Sequence, residues 1–382
     1  MPGGGLLSPW RSDEGGRTMI KTRLCEEVGI EYPIIQAGMG PWKTEKLAVA
    51  SANAGILGII STSGVVVEAA GLALLGEPVD PGEGKKTPYE LTRPLIERVK
   101  EATRGADGIF GVNCMVSAEM AQGAGEIIKA TLDAREEDAE TRERLRVIIT
   151  SAGDPLPWTD VIKPSGLKWF HVVPSVRHAQ RCERAGVDMV IASGHEAGGH
   201  AAWEPVHTMI LLPAVAKAVS IPVIGAGGFC DGATLVAALA LGACGVQMGT
   251  RLIATQESDF VPLWKNRILK SGERDTLAAR GFVGPLRYLK NMVSIELTEV
   301  TLKKTPRIYL GEPDTGLDPD IWAVESRGMR GLAGSDDEAA LFYGGEVAGR
   351  VDDLPTVKEL VERIGREAEE IVSSLPGFLE RP

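Results

Sequence analysis

Residues 221–251, IPVIGAGGFCDGATLVAALALGACGVQMGTR, carry the pattern that decides the fold. The apolar run Val223–Ala226 ends in Gly227-Gly228, and a helical pattern follows over Gly232–Leu241. A second apolar run, Gly245–Met248, then ends in another glycine. Strands that are apolar at every position are covered on both faces, as in parallel α/β sheets. The stretch therefore predicts one strand–helix unit and the strand that begins the next.

The same alternation extends through most of the chain, at a repeat of roughly 20–25 residues where the units are compact. Eight such strands favour a closed (β/α)₈ TIM barrel over an open α/β sheet, because doubly wound sheets normally have about six strands. Further helices are expected at Ser175–Ala185 and His207–Val219. The predicted strands are Pro33–Ala37, Ile56–Ser61, Ile109–Cys114, Arg146–Ser151, Trp169–Val173, Met189–Ala192, Val223–Ala226 and Gly245–Met248.

Composition narrows the class of protein. The net charge of −11 opposes binding to nucleic acid or to an anionic membrane surface. Five scattered cysteines without C-x-x-C spacing favour free thiols in a reducing compartment, so we expect a cytoplasmic protein. No run of 18 apolar residues is present, so we expect no membrane span.

Four segments are expected. Residues 1–18, rich in glycine, proline and charge, predict a disordered extension without a signal peptide, and residues 19–255 form the barrel. The barrel includes a long insertion after strand two, residues 62–107, with helices around the Pro/Gly-rich patch Gly76–Pro88. Residues 256–349 predict a lid over the substrate side. In residues 350–382, an amphipathic helix over Leu354–Ser373 is expected to pack on the barrel through Val357, Leu360, Val361, Ile364 and Ile371.

Two glycine loops predict an anion site. Adjacent glycines at 227 and 228 let backbone N–H groups approach an anion, and a helix N-terminus follows them. Gly249-Thr250, 22 residues later, repeats this arrangement and adds a hydroxyl donor. Each motif alone could be a tight turn, but loops after strands seven and eight of a barrel commonly bind phosphate. A Rossmann fingerprint is absent, because Cys230 stands where its third glycine is required.

The loop Ser193–His200, SGHEAGGH, follows strand six and carries the titratable groups. Histidine is suited to proton transfer near neutral pH, so His200 is the candidate catalytic residue and His195 the alternative. Glu196 could orient a histidine or cap a backbone turn. We assign no metal site, since no carboxylate or thiolate completes a set with His195, His200 and His207. His171 and His178 are expected to be structural or exposed.

Small and amide residues end strands one, three and four and are expected to line the same cavity. Ala37, Gly38 and Met39 would allow a flat ring to approach the backbone, with Met39 over one face. Asn113 could hydrogen-bond the edge of a heterocycle or hold its own loop, and Gly153 lies at the end of strand four.

These motifs together resemble the nitronate monooxygenase family, formerly called 2-nitropropane dioxygenases, and its relative, the flavin-dependent enoyl-[acyl-carrier-protein] reductase II. The matching stretches are Tyr32–Gly40 (YPIIQAGMG), Phe110–Met115 (FGVNCM), Val173–Val176 (VPSV), Gly194–His200 (GHEAGGH), Ile221–Gly232 (IPVIGAGGFCDG) and Ala237–Ser258 (AALALGACGVQMGTRLIATQES).

The resemblance implies an FMN-dependent oxidoreductase on a barrel. It implies a phosphate site at Gly227, Gly228, Gly249 and Thr250, and His200 as acid/base. Ala37, Gly38, Met39, Asn113 and Gly153 would line the isoalloxazine.

Two reactions fit the resemblance. The first is oxidation of alkyl nitronates or nitroalkanes with O₂, and the alternative is NAD(P)H-dependent reduction of an enoyl thioester. A non-catalytic flavin carrier is a remote third. A homodimer is compatible with the sequence, which carries no signature of an oligomeric state. Trp203, the insertion at 62–107 and the charged stretch Pro313–Glu338 depart from both family patterns.

Overall fold

The structure, a computed structural model, describes residues 10–12, 18–70, 86–281, 284–314, 316 and 318–378. At the N-terminus, β1 (Trp10–Ser12) pairs antiparallel with β2 (Thr18–Ile20). The expectation of disorder over 1–18 therefore differs from the structure at Trp10–Ser12, whose backbone is paired. Residues 1–9 and 13–17, and most of the patch Gly76–Pro88, lie outside the described residues.

Eight parallel strands form the barrel. They follow one another around it in chain order, and the first and second close it, since Gln36 N–H donates to Leu57 O at 3.0 Å. All eight predicted strands are confirmed to within two residues at their ends. The strands are β3 (Ile34–Gln36), β4 (Gly58–Ser61), β5 (Phe110–Met115), β6 (Leu145–Ser151), β7 (Lys168–Val173), β8 (Met189–Ser193), β10 (Val223–Ala226) and β11 (Val246–Met248).

Burial on both faces explains the unbroken apolar runs. Ile35 packs inside the barrel with Ile149 and Phe170, whereas its neighbour Ile34 packs outward against the helical layer. The predicted helices at 175–185, 207–219 and 232–241 are confirmed. The helices of the barrel part are α1 (Arg23–Val28), α2 (Glu45–Asn53), α3 (Ser63–Ala69), α4 (Pro88–Thr103), α5 (Ala121–Glu137), α6 (Ala139–Arg144), α7 (Thr159–Ile162), α8 (Val176–Arg184), α9 (Thr208–Ala218), α10 (Gly232–Ala240) and α11 (Thr250–Ile253).

The segment after α11 builds a second hydrophobic core of its own, around Trp264, Tyr288 and Phe342. It contains α12 (Pro262–Lys270), the antiparallel pair β12 (Thr276–Gly281) and β13 (Gly284–Leu289), α13 (Met292–Lys304) and α14 (Pro319–Gly331). We call this segment, residues 256–349, the lid. A two-residue strand from the barrel, β9 (Gly199–His200), joins β13 as a third strand.

The chain ends in α15 (Val357–Ser374), which packs against α10 and α2. Four of the five predicted stripe residues, Val357, Leu360, Val361 and Ile364, are almost fully buried in the barrel's outer core. Ile371, in the last turn of the helix, is only partly buried. Among the described residues, no helix is long and apolar enough to cross a membrane.

Candidate active site

One cavity of about 1110 Å³ lies between the carboxyl ends of the barrel strands and the lid. Parallel strands of a barrel end at the same face, so loops that are distant in sequence meet there. Every residue that the sequence marked lines this cavity: Ala37, Gly38, Met39, Asn113, Gly153, His200, Gly227, Gly228, Gly249 and Thr250.

The two glycine loops form a patch of unused backbone donors. Gly227 and Gly228 have φ angles of 91° and 86°, a left-handed conformation that glycine adopts without strain. A side chain at Gly228 would project into open space, so that position faces the cavity rather than neighbouring protein. Among the described residues, no backbone acceptor is bound by the N–H groups of Gly227, Gly228 and Gly249.

Thr250 brings the lid into this patch. Its Oγ1 accepts a hydrogen bond from Gly345 N–H at 2.9 Å, which leaves its hydroxyl proton free to donate. A Cβ at Gly345 would lie 2.6 Å from Glu196 O, and one at Gly198 would lie 2.5 Å from Gly345 N. The Gly344-Gly345 pair was missed by the sequence reasoning, although two adjacent glycines in a charged segment are themselves a signal of close backbone approach.

The small residues after β3 are packed for close contact. A side chain at Gly38 would collide with Asn113 Cγ at 2.4 Å, and one at Gly249 would meet Met39 Sδ at 3.3 Å. Met39 packs against both the barrel core and the lid core. The Asn113 amide donates to Ile149 O at 3.2 Å, so this side chain does hold its own strand ends while also lining the cavity. Gly153 follows Ala152, whose φ of 56° is strained for a residue with a Cβ.

His200 lies on β9, opposite Leu286 of the lid strand β13. The next N–H, that of Ala201, donates to Pro285 O at 2.8 Å. The sequence predicted that His200 ends a loop after strand six, and strand pairing with the lid holds this end of the loop. The ring is exposed to the cavity and otherwise enclosed by protein, and this burial lowers the pKa of His200 to about 4. At neutral pH the imidazole is therefore uncharged and can accept a proton.

Glu196 caps a helix instead of orienting His200. Its carboxylate accepts from Thr208 N–H at 2.9 Å, at the start of α9, and lies 3.5 Å from Nδ1 of His207. His195 stacks edge-on against His207 at 5.3 Å between ring centres. Burial, and then the charge of Arg287, lower the pKa of His195 to about 4. The sequence left both roles of Glu196 open, and in the structure this side chain caps α9 and also contacts a histidine, His207.

The remaining histidines on strand five and its helix have polar partners. His171 is buried, its Nδ1 lies 2.7 Å from Thr150 Oγ1, and burial lowers its pKa to about 4. His178 is exposed and contacts Ser175 Oγ at 2.8 Å. No cluster of three or more potential metal ligands occurs among the described residues.

The lid supplies aromatic walls that sequence reasoning did not assign. Trp264, Trp322 and Tyr343 line the cavity from the lid side, and Trp203 lines it directly after the histidine loop. The guanidinium of Arg280 lies over the Trp203 ring at 5.5 Å. Trp203, which departs from the family patterns, is thus fixed by a buried lid arginine.

The chain is similar to known proteins along most of its length. The family model described as nitronate monooxygenase matches residues 21–367. A Mycobacterium tuberculosis protein named (3aS,4S,5R,7aS)-5-hydroxy-7a-methyl-1-oxo-octahydro-1H-indene-4-carboxyl-CoA dehydrogenase is 31% identical, covering 91% of this chain and 96% of its own. A probable nitronate monooxygenase of Staphylococcus aureus is 30% identical, covering 73% and 81%.

Among solved structures, FabK from Thermotoga maritima is similar at 32% identity and a TM-score of 0.75, covering 94% of this chain and all of that one. The match of a single family model to nearly the whole chain, barrel and lid together, makes this protein a member of the nitronate monooxygenase family of oxidoreductases.

Proposed function

We propose that this protein is an FMN-dependent oxidoreductase in which His200 moves a proton at the carbon that is oxidised or reduced. One observation carries the proposal: His200 lines the same cavity as the two glycine loops. When bound, FMN supplies the acceptor or donor of two electrons that the side chains of this cavity lack.

The residues present fit FMN. The N–H groups of Gly227, Gly228 and Gly249 and the Thr250 hydroxyl provide donors for a phosphate. The nearby carboxylate of Asp231 is already used, since it caps α10 and pairs with Arg350. Ala37, Gly38, Met39, Asn113 and Gly153 would then lie along the isoalloxazine. The loops form one compact phosphate site, as a mononucleotide requires.

Oxidation of alkyl nitronates or nitroalkanes is the first candidate reaction. A neutral nitroalkane must lose its α-proton, and an uncharged imidazole at His200 can accept it. A preformed nitronate needs no such step. In the reductive alternative, His200 would instead donate a proton to the α-carbon of an enoyl thioester.

Oxidoreduction of an acyl thioester is a second candidate, favoured by two observations. The cavity of about 1110 Å³ exceeds the usual range for one small ligand, so a larger substrate can share it with a cofactor. The relative that matches along 96% of its own length, lid included, is named as a dehydrogenase of a carboxyl-CoA ester. An α-proton beside a thioester can be removed by the same neutral imidazole.

The cofactor is tested by release and by mutation. Denatured protein is expected to yield FMN rather than FAD. Gly228→Asp places a carboxylate in the phosphate site and is expected to abolish flavin retention. Gly166→Asp is the matched control, because Gly166 also has a positive φ of 73° and open space around it, but precedes β7 at the other end of the barrel. Recovery of FAD, or equal flavin loss in both variants, would contradict the assignment.

The substrate is tested by anaerobic bleaching of the flavin absorbance. Alkyl nitronate, NADH, NADPH and a saturated acyl-CoA are added separately to the loaded protein. Bleaching by nitronate supports the first candidate and bleaching by acyl-CoA the second. Bleaching by NAD(P)H with reoxidation by enoyl thioester would instead identify the reductive reaction. If none of these compounds bleaches the flavin, the proposed oxidoreductase activity is wrong for these substrate classes.

A further inference from the structure

A buried carboxyl group lies on the lid face of the cavity, away from His200 and the glycine loops. Trp322, Glu325 and Met329 share one side of α14, and all three line the cavity. Glu325 is only 4% exposed, on a face that is otherwise apolar. Placing a carboxyl group there is costly unless hydrogen bonds compensate for the lost water. A cavity that binds only apolar groups has no use for a buried carboxyl group, so Glu325 indicates a polar contact with the ligand.

Two tyrosines hold this carboxyl group in place. The hydroxyls of Tyr288 and Tyr343 both donate to Glu325 Oε1, at 3.3 and 3.4 Å. Burial, reinforced by the nearby Glu325, holds the pKa of both phenols well above their ordinary value, so both keep their protons. A Cβ at Gly281 would lie 2.7 Å from the Tyr288 hydroxyl and 3.0 Å from Glu325 Oε1, so glycine leaves room for the cluster.

The cluster lies within reach of a substrate bound at His200. Tyr288 is two residues along β13 from Leu286, the register partner of His200. Two residues of a strand span about 7 Å. Tyr343 forms a bridge with Tyr288 and directly precedes the Gly344-Gly345 pair that contacts Thr250. A molecule that presents a carbon to His200 can therefore extend to Glu325 and Tyr343.

We propose that Glu325 and Tyr343 form a subsite for a hydroxyl group of the substrate. The Tyr343 hydroxyl donates its hydrogen bond to Glu325, which leaves the oxygen lone pairs of this cavity residue for a ligand that donates a hydrogen bond. This inference rests on the proposed function, since it places an alcohol several ångströms from the carbon that reacts at His200. The substrate is then a hydroxylated carbon acid rather than a plain alkyl chain.

Binding of two probes of equal size tests the subsite without turnover. Cyclohexanol can donate a hydrogen bond and cyclohexanone can only accept one. Each is titrated into the flavin-loaded protein, with fluorescence of the cavity tryptophans and equilibrium dialysis as readouts. We expect cyclohexanol to bind about tenfold more tightly, the usual effect of one hydrogen bond to a charged or strongly polarised group.

Tyr343→Phe and Glu325→Gln are both expected to remove this preference. The first loses an acceptor, and the second introduces an amide donor that the ketone can use. Tyr309→Phe is the matched control, because Tyr309 is exposed and its hydroxyl donates to Ala278 O. Thermal melting checks that each variant folds. Equal binding of the two probes to the unaltered protein, absence of saturable cyclohexanol binding, or a preference that survives in Tyr343→Phe would overturn the subsite. None of these results depends on which compound bleaches the flavin.

Discussion

His200 is the residue on which the proposed chemistry depends, because its uncharged imidazole would accept the proton of the substrate. We expect His200→Asn to retain FMN, because the phosphate loops lie on other strands, and to lose about 10²–10⁴-fold in turnover of a neutral nitroalkane or acyl thioester. Activity on preformed nitronate should fall much less, since no proton is removed. Steady-state kinetics on both forms of the same nitro compound measures the difference.

His195→Asn is the control for this prediction and should be milder. A larger loss in His195→Asn, or no loss in either variant, would place the proton transfer on another group.

The pH profile gives an independent check on the same residue. With a pKa of about 4, His200 is already deprotonated at pH 5, so kcat/KM for the neutral substrate should be level from pH 8 down to pH 5. Below about pH 4 the rate should fall roughly tenfold per unit, as the base becomes protonated. A decline that begins near pH 6.5 would mean that His200 keeps the pKa of a solvated histidine.

At the scale of elements, the short strand pair β9–β13 fixes His200 to the lid. Gly198 precedes this pair and touches the Gly344-Gly345 backbone. We expect Gly198→Ala to lower turnover by at least tenfold and to weaken FMN retention, because its Cβ would lie 2.5 Å from Gly345 N and must displace either β9 or the lid.

Gly123→Ala serves as the comparison for this substitution. Gly123 lies in α5, where an added Cβ makes only an ordinary contact of 3.8 Å with Pro88, so activity should be unchanged and stability equal or slightly higher. Flavin occupancy and kcat are measured on both variants. Unchanged values in Gly198→Ala would show that the β9–lid contact does not position His200.

For the whole molecule, two enclosed histidines should make stability depend on pH. His171 and His195 each have a pKa near 4 in the folded protein, against an ordinary value of 6.5. Between these values the unfolded chain binds the protons first, so stability is complete above pH 6.5 and is lost as the pH falls toward 4. Carboxylates with a lowered pKa also reduce stability as the pH falls, so the contribution of a histidine has to be measured with variants.

The contribution of His171 to this pH dependence can be measured most directly, since His171 is 3% exposed and lies on a barrel strand. The lowered pKa of His171 corresponds to about 3 kcal/mol in the free energy of unfolding above pH 6.5. Urea unfolding at pH 7 and pH 4.5 should therefore show a smaller loss for His171→Gln than for the unaltered protein. Identical losses in the two proteins would refute the assignment of this effect to His171.

The sequence by itself determined the barrel, its eight strands and the residues at their carboxyl ends. Apolar runs without alternation require burial on both faces, and parallel strands place their ends at one face, so residues as distant as Met39, Asn113 and Gly249 could be grouped before any coordinates. The family followed from the same motifs. The substrate, the FMN assignment and the role of His200 remain proposals.

Only the tertiary structure decided how the lid completes the site. Local sequence does not specify that Glu196 caps α9, that His200 pairs with Leu286, or that Glu325 receives two tyrosine hydroxyls, because these contacts join residues up to 86 positions apart. Each depends on how the second hydrophobic core orients the lid over the barrel. Periodicity records which face of an element is buried, but it carries no information on which distant element covers that face.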